Sequence, residues 1–516
     1  MAYLGRQRAG GDVVAPTLDD PVARAASGAV GGPLGRHALT GMSWWTPLRV
    51  IIVVATVFFG LGVVQKSPCV TTAWDEHPSP FSFSHLCYSD IQYLYVGRGL
   101  DRGVIPFEPA DDMPVAIRPT TLEGFQKLTI EYPVLSGLWM GGAAVITSWI
   151  GGTPPGGDVP NSPVATQLKG EYRSAVFWSV NAVGFFFVLL IALAFLVNAQ
   201  RRRPWDALFV AASPCLALAA MINWDVLALG LVAAFLWSWS TRRPVSAGIF
   251  IGLGTATKLF PLFFLGPLLV LCLRERQMTE WTKTFTAAVV AWTVVDLPIY
   301  VWSPDAFKWF WEFNASRGPD YGSLWLVVSN YSPSHTASPH TVNVTTWIVF
   351  GAACAAIALL GLLAPRRPRL PQLLYLTVVA FLIVNKVYSP QYVIWLLPLA
   401  ALARPRWRDL LIWQAAEIFY FFAIWMHIAN FFVASGAQDW VYALAVVLRI
   451  LAELYIAALI VRDILQPWRD PVRADGLSDD PVGGLLDEGI DAELDPEHDV
   501  EHEDLPPPRH LDPAPA

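Results

Sequence analysis

Residues 174–198 read SAVFWSVNAVGFFFVLLIALAFLVN, and the basic triplet Arg201-Arg202-Arg203 follows almost at once. A run of about 20 mostly apolar residues is long enough to cross a lipid bilayer as one helix. Lysine and arginine collect at the cytoplasmic ends of such helices. The stretch therefore predicts a transmembrane helix that ends in the cytoplasm, and similar apolar runs recur along most of the chain.

The composition extends this prediction to the whole chain of 516 residues. Apolar residues make up 54% and charged residues 15%, whereas roughly 25% of a typical soluble chain is charged. This excludes a soluble enzyme, a disordered scaffold and a nucleic-acid binder. The net charge of −7 hides an asymmetry, because the residues from Asp470 onward carry −13 and the rest carries +6. A basic membrane body therefore precedes an acidic tail.

The basic clusters set the predicted topology. We place them all in the cytoplasm together with the N-terminus: Arg201 to Arg203, Arg242-Arg243, Arg274 and Arg276, Arg366 to Arg369, Arg404 to Arg408, and Arg462 with Arg469. The sequence then predicts an all-α polytopic membrane protein of about 12 transmembrane helices with both termini cytoplasmic. Residues 1–46 and the acidic residues 466–516 are predicted to be disordered tails, and residues 47–465 to form the membrane domain.

Parity of the crossings makes the first extracytoplasmic loop large, from about residue 66 to residue 172. The apolar segment 133–150 lies inside this loop and is predicted not to cross, because a crossing there would turn every later basic cluster outward. Residues 245–257 and 262–273 are short, and we expect two half-length or tilted helices that meet at Lys258. Cys69 and Cys87 lie in the same outer loop, where a disulfide and two free thiols are both open.

Three carboxylates lie in the predicted outer segments. Asp90, in Tyr88-Ser89-Asp90, starts a short amphipathic helix and is either the helix cap or a catalytic base. Glu131 in Glu131-Tyr132-Pro133 is either a helix-start carboxylate or a binding group, with Tyr132 beside it. Asp225, in Asn223-Trp224-Asp225, lies in a tight outer turn.

Two lysines lie in the same predicted layer. Lys258, in Lys258-Leu259-Phe260-Pro261, is the only charge between Ala247 and Leu273, so it either snorkels to the surface or meets an anion. Lys386 belongs to Asn385-Lys386-Val387-Tyr388-Ser389-Pro390-Gln391-Tyr392. This polar segment between two apolar runs is either a structural hinge or a site that holds a phosphate or sugar through Lys386, Tyr388 and Gln391.

The candidates share one face of the membrane, and no nucleotide-binding motif accompanies them. Chemistry on that face needs an activated substrate that reaches it, and a lipid-linked sugar phosphate is such a substrate. No cysteine or histidine spacing suggests a metal site, so we expect neither a metal nor another cofactor.

The four motifs around Asp90, Glu131, Lys258 and Lys386 together resemble those of the integral-membrane GT-C glycosyltransferases. The closest branch is similar to the actinobacterial glycosyltransferase family 87, whose members are polyprenyl-phosphate-mannose-dependent α-mannosyltransferases. The resemblance covers roughly residues 45–465. It departs from the usual acidic-Tyr-Pro-Pro motif at Val134.

This resemblance implies an inverting mannosyl transfer on the extracytoplasmic face, from a polyprenyl-phosphate donor to a cell-envelope glycolipid or glycan. The position that matches the family's catalytic base is Asp90. Lys258, Lys386 and Tyr388 are the candidates for the donor phosphate. Glu131, Tyr132, Asp225 and Gln391 are the candidates for substrate binding.

Two other classes of protein stay open at this stage. A multi-span transporter or lipid flippase predicts charges near the bilayer midplane, whereas the charges here gather at one face with the exception of Asp296. A membrane scaffold would use the acidic tail.

Overall fold

The computed structural model describes residues 20–29, 44–70, 80–151, 163–331, 337–432, 439–475 and 479–486. Throughout these residues the regular elements are helices, and no strand occurs among them, which confirms the all-helical prediction. The α-helices are α1 (Pro21–Ala29), α2 (Pro47–Lys66), α3 (Pro80–Ser84), α4 (Asp90–Gly97), α5 (Leu122–Leu128), α6 (Val134–Gly151), α7 (Pro163–Ala199), α8 (Leu208–Ala211), α9 (Pro214–Ala219), α10 (Asp225–Ser240), α11 (Pro244–Thr257), α12 (Leu265–Arg274), α13 (Met278–Trp302), α14 (Pro304–Ser316), α15 (Leu324–Tyr331), α16 (Pro339–Leu363), α17 (Leu370–Val384), α18 (Val393–Ala403), α19 (Trp407–Ile428) and α20 (Trp440–Leu465).

Many of these helices are apolar enough for a bilayer. Within the described residues, seven are also long enough to cross one, namely α2, α6, α7, α13, α16, α19 and α20. Five shorter apolar helical segments accompany them: Asp225–Ser240, Pro244–Thr257, Phe260–Arg274, Leu370–Val384 and Pro390–Ala403. Such a body suggests a membrane protein, while the number of crossings stays a prediction.

The centre of the body is formed by helices that are apolar on all sides. Every residue of α18 is buried, and most of α17 and α10 is buried as well. A helix that is apolar all round lies either inside a protein or in lipid, and the burial of these three helices places them inside. The short helices therefore form the interior, while the long helices α13 and α16 bury only a few of their residues.

Helix α6 is a continuous helix of 18 residues in the segment that we predict not to cross. It runs antiparallel to the first half of α7, with the Trp139 indole donating to Asn181 at 3.0 Å and Gly151 against Arg173. The second half of α7, which leads to the basic triplet, continues past α6. This packing agrees with a helix that stays in the outer part of the protein, although the crossing topology remains a prediction.

Two of the apolar runs are broken at the same end of the body, and the short lengths of 245–257 and 262–273 predict the first of these breaks. Helix α11 ends at Thr257, and a 3-10 turn over Phe260–Phe264 leads into α12. Helix α17 ends at Val384, and a 3-10 turn over Pro390–Tyr392 leads into α18. Pro261 is the second residue of the first turn and Pro390 is the first residue of the other. At these positions the missing N–H of proline costs no helical hydrogen bond. Lys258 and Lys386 lie at these breaks.

The opposite end of the body gathers the basic clusters and both terminal segments. Asp20, just before α1, accepts a hydrogen bond from the Trp407 amide at 2.9 Å. Asp470 forms a two-pronged ion pair with the fully buried Arg369, at 2.7 and 2.9 Å. The two terminal segments therefore meet at one end of the molecule.

The beginning of the acidic tail is folded, which corrects the prediction of disorder from residue 466. Asp479 pairs with Arg366, Arg367 and Arg473 at 2.9–3.0 Å. Asp480 accepts from the Leu370 amide at 2.9 Å and so satisfies one of the free amides at the start of α17. The low apolar content predicted disorder here, but content does not reveal the ion pairs and hydrogen bonds that hold this segment. Residues 487–516 lie outside the described residues.

Candidate active site

Asp90 is the first residue of α4, but it is not the helix cap. The cap is Ser89, whose hydroxyl accepts from the Ile91 amide at 3.3 Å and donates to the Met221 carbonyl at 2.8 Å. The Asp90 amide donates to the Ile222 carbonyl at 2.7 Å. The interpretation of Asp90 as the cap is therefore wrong, and its carboxylate is left for other partners.

Two phenol hydroxyls hold the Asp90 carboxylate. Tyr88 donates to its Oδ1 at 2.7 Å, and Tyr132 donates to its Oδ2 at 3.3 Å. Burial raises the pKa of Asp90 to about 6, although the hydrogen bond from Tyr88 and the charge of Lys258 lower it. A carboxylate with a pKa near neutrality is ionised at pH 7 and still basic enough to take a proton from a hydroxyl.

Lys258 meets an anion rather than snorkelling to the surface. Its Nζ lies 2.8 Å from Asp225 Oδ1, and the side chain of Asp225 is fully buried. The same Nζ lies 4.5 Å from the centre of the Tyr132 ring, and the Asn223 amide donates to the Tyr132 hydroxyl at 3.4 Å. Tyr132 thus joins Asp90 to the Lys258–Asp225 pair, so three of the predicted motifs form one cluster.

Glu131 is engaged by a residue that the sequence analysis did not select. The guanidinium of Arg98 forms two hydrogen bonds of 2.8 Å with the two Glu131 oxygens. Arg98 directly follows α4, and Glu131 precedes Tyr132. The ion pair therefore ties the helix of Asp90 to the segment of Tyr132, and this fixes the distance between their side chains.

Lys386 belongs to a second group of cations. Its Nζ donates to the Arg317 carbonyl at 2.6 Å, and Arg317 pairs with Asp320. Burial and the nearby charge of Arg317 lower the pKa of Lys386. Tyr392 lies within electrostatic range of Asp90, Asp225 and Arg317, which places it near both groups of charges.

Tyr388 and Gln391 are placed differently from each other. Tyr388 is fully buried, and its hydroxyl donates to Glu453, so it points away from the region of the lysines. Gln391 is nearly buried, and its side-chain carbonyl has no hydrogen-bond partner within the described residues. Of the two, only Gln391 has a polar atom left for a ligand.

A buried ionic network lies beneath this hinge, which the sequence analysis did not anticipate. Arg449 contacts Glu417 at 3.0 Å and Glu453 at 3.8 Å, and all three side chains are buried. The guanidinium also stacks on the ring of Tyr388 at 3.5 Å and donates to the Tyr388 carbonyl at 2.9 Å. The prediction that Asp296 is the only charge away from the outer face is therefore wrong, because these three residues lie in the interiors of α19 and α20.

Residues 86–89, here called the strap, precede Asp90 and are fixed by two contacts. Cys69 and Cys87 form a disulfide, which resolves the alternative that the sequence left open. The buried Nζ of Lys66 donates to the carbonyls of Leu86 and Tyr88, at 3.1 and 3.0 Å. Both contacts lie within four residues of Asp90, so they position the Tyr88 hydroxyl and the carboxylate that it holds.

The residues that the sequence missed gave weak local signals. Tyr88 belongs to the Asp90 motif, and its position two residues before the carboxylate was the only sequence signal for its role. Arg317 and Lys66 come from helix ends, and only the fold brings Arg317 to Lys386 and Lys66 to the segment before Asp90. In the described residues no group of three histidine, cysteine or carboxylate side chains is arranged to hold a metal ion.

One family model matches part of the chain. The model of glycosyltransferase family 87 matches residues 154–390. The matched range contains Asp225, Lys258 and Lys386, whereas Asp90 and Glu131 precede it. None of the curated proteins matches the chain. Together with the apolar helices, the family match supports a membrane glycosyltransferase.

Proposed function

We propose that the protein transfers a sugar from a polyprenyl-phosphate donor to a cell-envelope glycolipid or glycan on the extracytoplasmic face. The observation that carries the proposal is the Asp90 carboxylate, held by two phenol hydroxyls beside the Lys258–Asp225 pair. The choice of mannose as the sugar rests on the resemblance of the motifs to the polyprenyl-phosphate-mannose-dependent enzymes.

In the proposed reaction Asp90 is the general base. It takes the proton of an acceptor hydroxyl while that oxygen attacks the anomeric carbon from the face opposite the phosphate. The bond between the anomeric carbon and the phosphate oxygen breaks, the lipid phosphate leaves with the electron pair, and the configuration inverts. A positioned base of this kind contributes about 10²–10⁴-fold to the rate.

The leaving phosphate needs positive charge, and two groups supply it. Lys386 with Arg317 forms one, and Lys258 forms the other. Charges that are fixed before the reaction stabilise a developing anion without reorganisation. Tyr388 is not retained as a phosphate ligand, because its hydroxyl is bonded to Glu453.

The remaining candidates position the reacting groups. Glu131 holds Arg98 and thereby the segment of Tyr132. Asp225 holds Lys258, and Tyr132 orients the Asp90 carboxylate. Gln391 has a free carbonyl oxygen for a substrate hydroxyl. The buried network around Arg449 contacts the side chain and the carbonyl of Tyr388 and so supports the hinge, while one Glu453 oxygen has no hydrogen-bond partner within the described residues.

The test is sugar transfer by the purified protein. Radiolabelled polyprenyl-phosphate mannose is the donor, and a cell-envelope lipid extract is the acceptor. We expect transfer by the wild type and a loss of at least 100-fold in Asp90→Asn, since the amide cannot accept the proton. Asp305→Asn is the matched control, because Asp305 is exposed and pairs only weakly with Lys308 at 3.9 Å.

Two results would contradict the proposal. Asp90→Asn at full rate would remove Asp90 as the base. Donor affinity and turnover both unchanged in Lys258→Ala would remove Lys258 from the phosphate site.

A further inference from the structure

Asp296 is a buried carboxylate that the proposed reaction does not use. It lies in α13, six residues before the end of the helix, and only 5% of its surface is exposed. Its Oδ2 has no hydrogen-bond partner within the described residues. An ionisable group at this depth in an apolar helix is costly, so its presence asks for a ligand or partner.

The carboxylate lines a recess next to the Asp90 cluster. Its inner space measures about 10 Å³, enough for about one hydroxyl group, and it widens to about 300 Å³ when the space open to solvent is counted; its walls are mainly aromatic. Its lining includes Tyr132, Trp292, Asp296, Phe310 and Trp311. Tyr132 also donates to Asp90, so one residue belongs to both the recess and the site of the base.

The recess is built by packing between distant parts of the chain. Phe107, which also lines it, lies against Gly137 of α6, where a Cβ would fall 2.3 Å from the Phe107 ring. Helix α14 folds back from the end of α13 and contributes Phe307, Phe310 and Trp311. Three separate elements thus enclose the Asp296 carboxylate on one side of Tyr132.

The chemistry of the walls selects the ligand. A prenyl chain would fill the aromatic recess but would leave the carboxylate oxygen without a donor, which costs free energy. A phosphate would be repelled by the carboxylate. A sugar ring satisfies both features, because its hydroxyls donate to the carboxylate and its C–H edges pack on aromatic faces.

We infer that this recess binds the acceptor sugar and that Asp296 receives hydrogen bonds from its hydroxyls. The inference rests on the proposed function for the direction of transfer. A sugar seated beside Tyr132 presents a neighbouring hydroxyl to Asp90, whereas the donor phosphate is assigned to the cations Lys258, Lys386 and Arg317. Asp296 is then a residue of acceptor specificity.

A binding experiment without donor tests the sugar site. The protein is placed in phospholipid nanodiscs, because alkyl-glycoside detergents would themselves carry a sugar into the recess. Octyl α-mannoside, octyl β-glucoside and octyl β-galactoside are titrated by calorimetry, with 1-octanol as the control for the chain. We expect at least one glycoside to bind more tightly than octanol, and Asp296→Leu to lose about ten-fold or more of that affinity.

Matched variants and a kinetic test complete the design. Asp305→Asn should bind as the wild type does, and Asp296→Leu should unfold at the same temperature or higher because it removes a buried carboxyl. In transfer assays Asp296→Leu should raise the acceptor KM about ten-fold or more with the donor KM unchanged. Asp296→Asn, which keeps one acceptor oxygen, should fall between the two.

Three results would overturn the inference. They are glycoside binding no tighter than octanol, equal glycoside affinity in Asp296→Leu and wild type, and an effect confined to the donor KM. Failure of the wild type to transfer sugar would instead count against the proposed function, since the binding experiment needs no donor.

Discussion

A carboxylate works as a base only when its environment keeps it ionised and reactive at the same time. At Asp90 burial favours the protonated form, while the Tyr88 hydroxyl and the Lys258 charge favour the ionised form. The balance leaves the pKa at about 6. The pKa of Asp90 is therefore set by burial, by the hydrogen bond from Tyr88 and by the charge of Lys258, which lies beside the Tyr132 ring.

The pH dependence of kcat/KM follows from this balance. A base must be ionised, so activity should be low below pH 6, rise through about pH 6 and level off above pH 7. In Tyr88→Phe the hydrogen bond to the carboxylate is lost, so the pKa should rise and the acid limb should move to higher pH. Initial rates with donor and acceptor below their KM values, measured from pH 4.5 to pH 8.5, check both expectations.

The comparison with Tyr172→Phe controls for general effects of removing a tyrosine hydroxyl, since 56% of the Tyr172 surface is exposed. An acid limb that stays in place in Tyr88→Phe would mean that another group controls the profile.

At the scale of elements, the site is assembled from breaks in helices. Lys258 and Lys386 stand where two apolar runs are interrupted, and proline and polar residues at these breaks made them predictable from the sequence. The place of Asp90 was predictable from a different local pattern, since it starts a short helix in the predicted outer loop. The pairing of Glu131 with Arg98 was not, because its 33-residue separation carries no periodic signal.

Removal of the Cys69–Cys87 disulfide tests how the strap before Asp90 is held. In the double variant Cys69→Ser, Cys87→Ser a loop of 18 residues is no longer closed, so unfolding should be easier by about 3 kcal/mol. Turnover should also fall, because the loosened strap carries Tyr88, whose hydroxyl holds Asp90. Thermal unfolding and initial rates measure the two effects separately.

Cys354→Ser is the control, since Cys354 is a free thiol on α16. Stability lost with full turnover retained would show that Lys66 alone positions the strap.

At the scale of the whole molecule, charges divide into two ends with different tasks. The end with Asp90 gathers the carboxylates and lysines of the candidate site, while the opposite end pairs its arginines with the terminal segments. Arg369 is the clearest case. Its charge is paired with Asp470, and its guanidinium also donates to the carbonyls of Leu402 and Ala403. Hydropathy predicted the helices, but only long-range pairing reveals how their ends are sealed.

Truncation should separate these parts of the tail. Deleting residues 470–516 removes the partner of Arg369 and leaves a buried charge, which costs about 3–5 kcal/mol. Deleting only residues 487–516 keeps Asp470, Asp479 and Asp480, and both stability and turnover should equal those of the full chain. Thermal unfolding of the two truncated proteins decides, with Asp470→Asn expected to resemble the longer deletion.

Equal stability of both truncated proteins would show that Arg369 finds solvent or another partner. Loss of turnover in the shorter deletion would favour a role of the acidic tail in recruiting a partner.

The pair between Arg369 and Asp470 also has a consequence for the order of synthesis. The two residues are 101 positions apart, and translation proceeds at roughly 5–20 residues per second. Arg369 therefore waits about 5–20 s for its counter-charge, while α17 to α20 are inserted. Asp470 follows α20 in the chain, so the pair can form only after all the helices from α17 to α20 have been made, and a chain that ends before Asp470 leaves the Arg369 guanidinium without this partner.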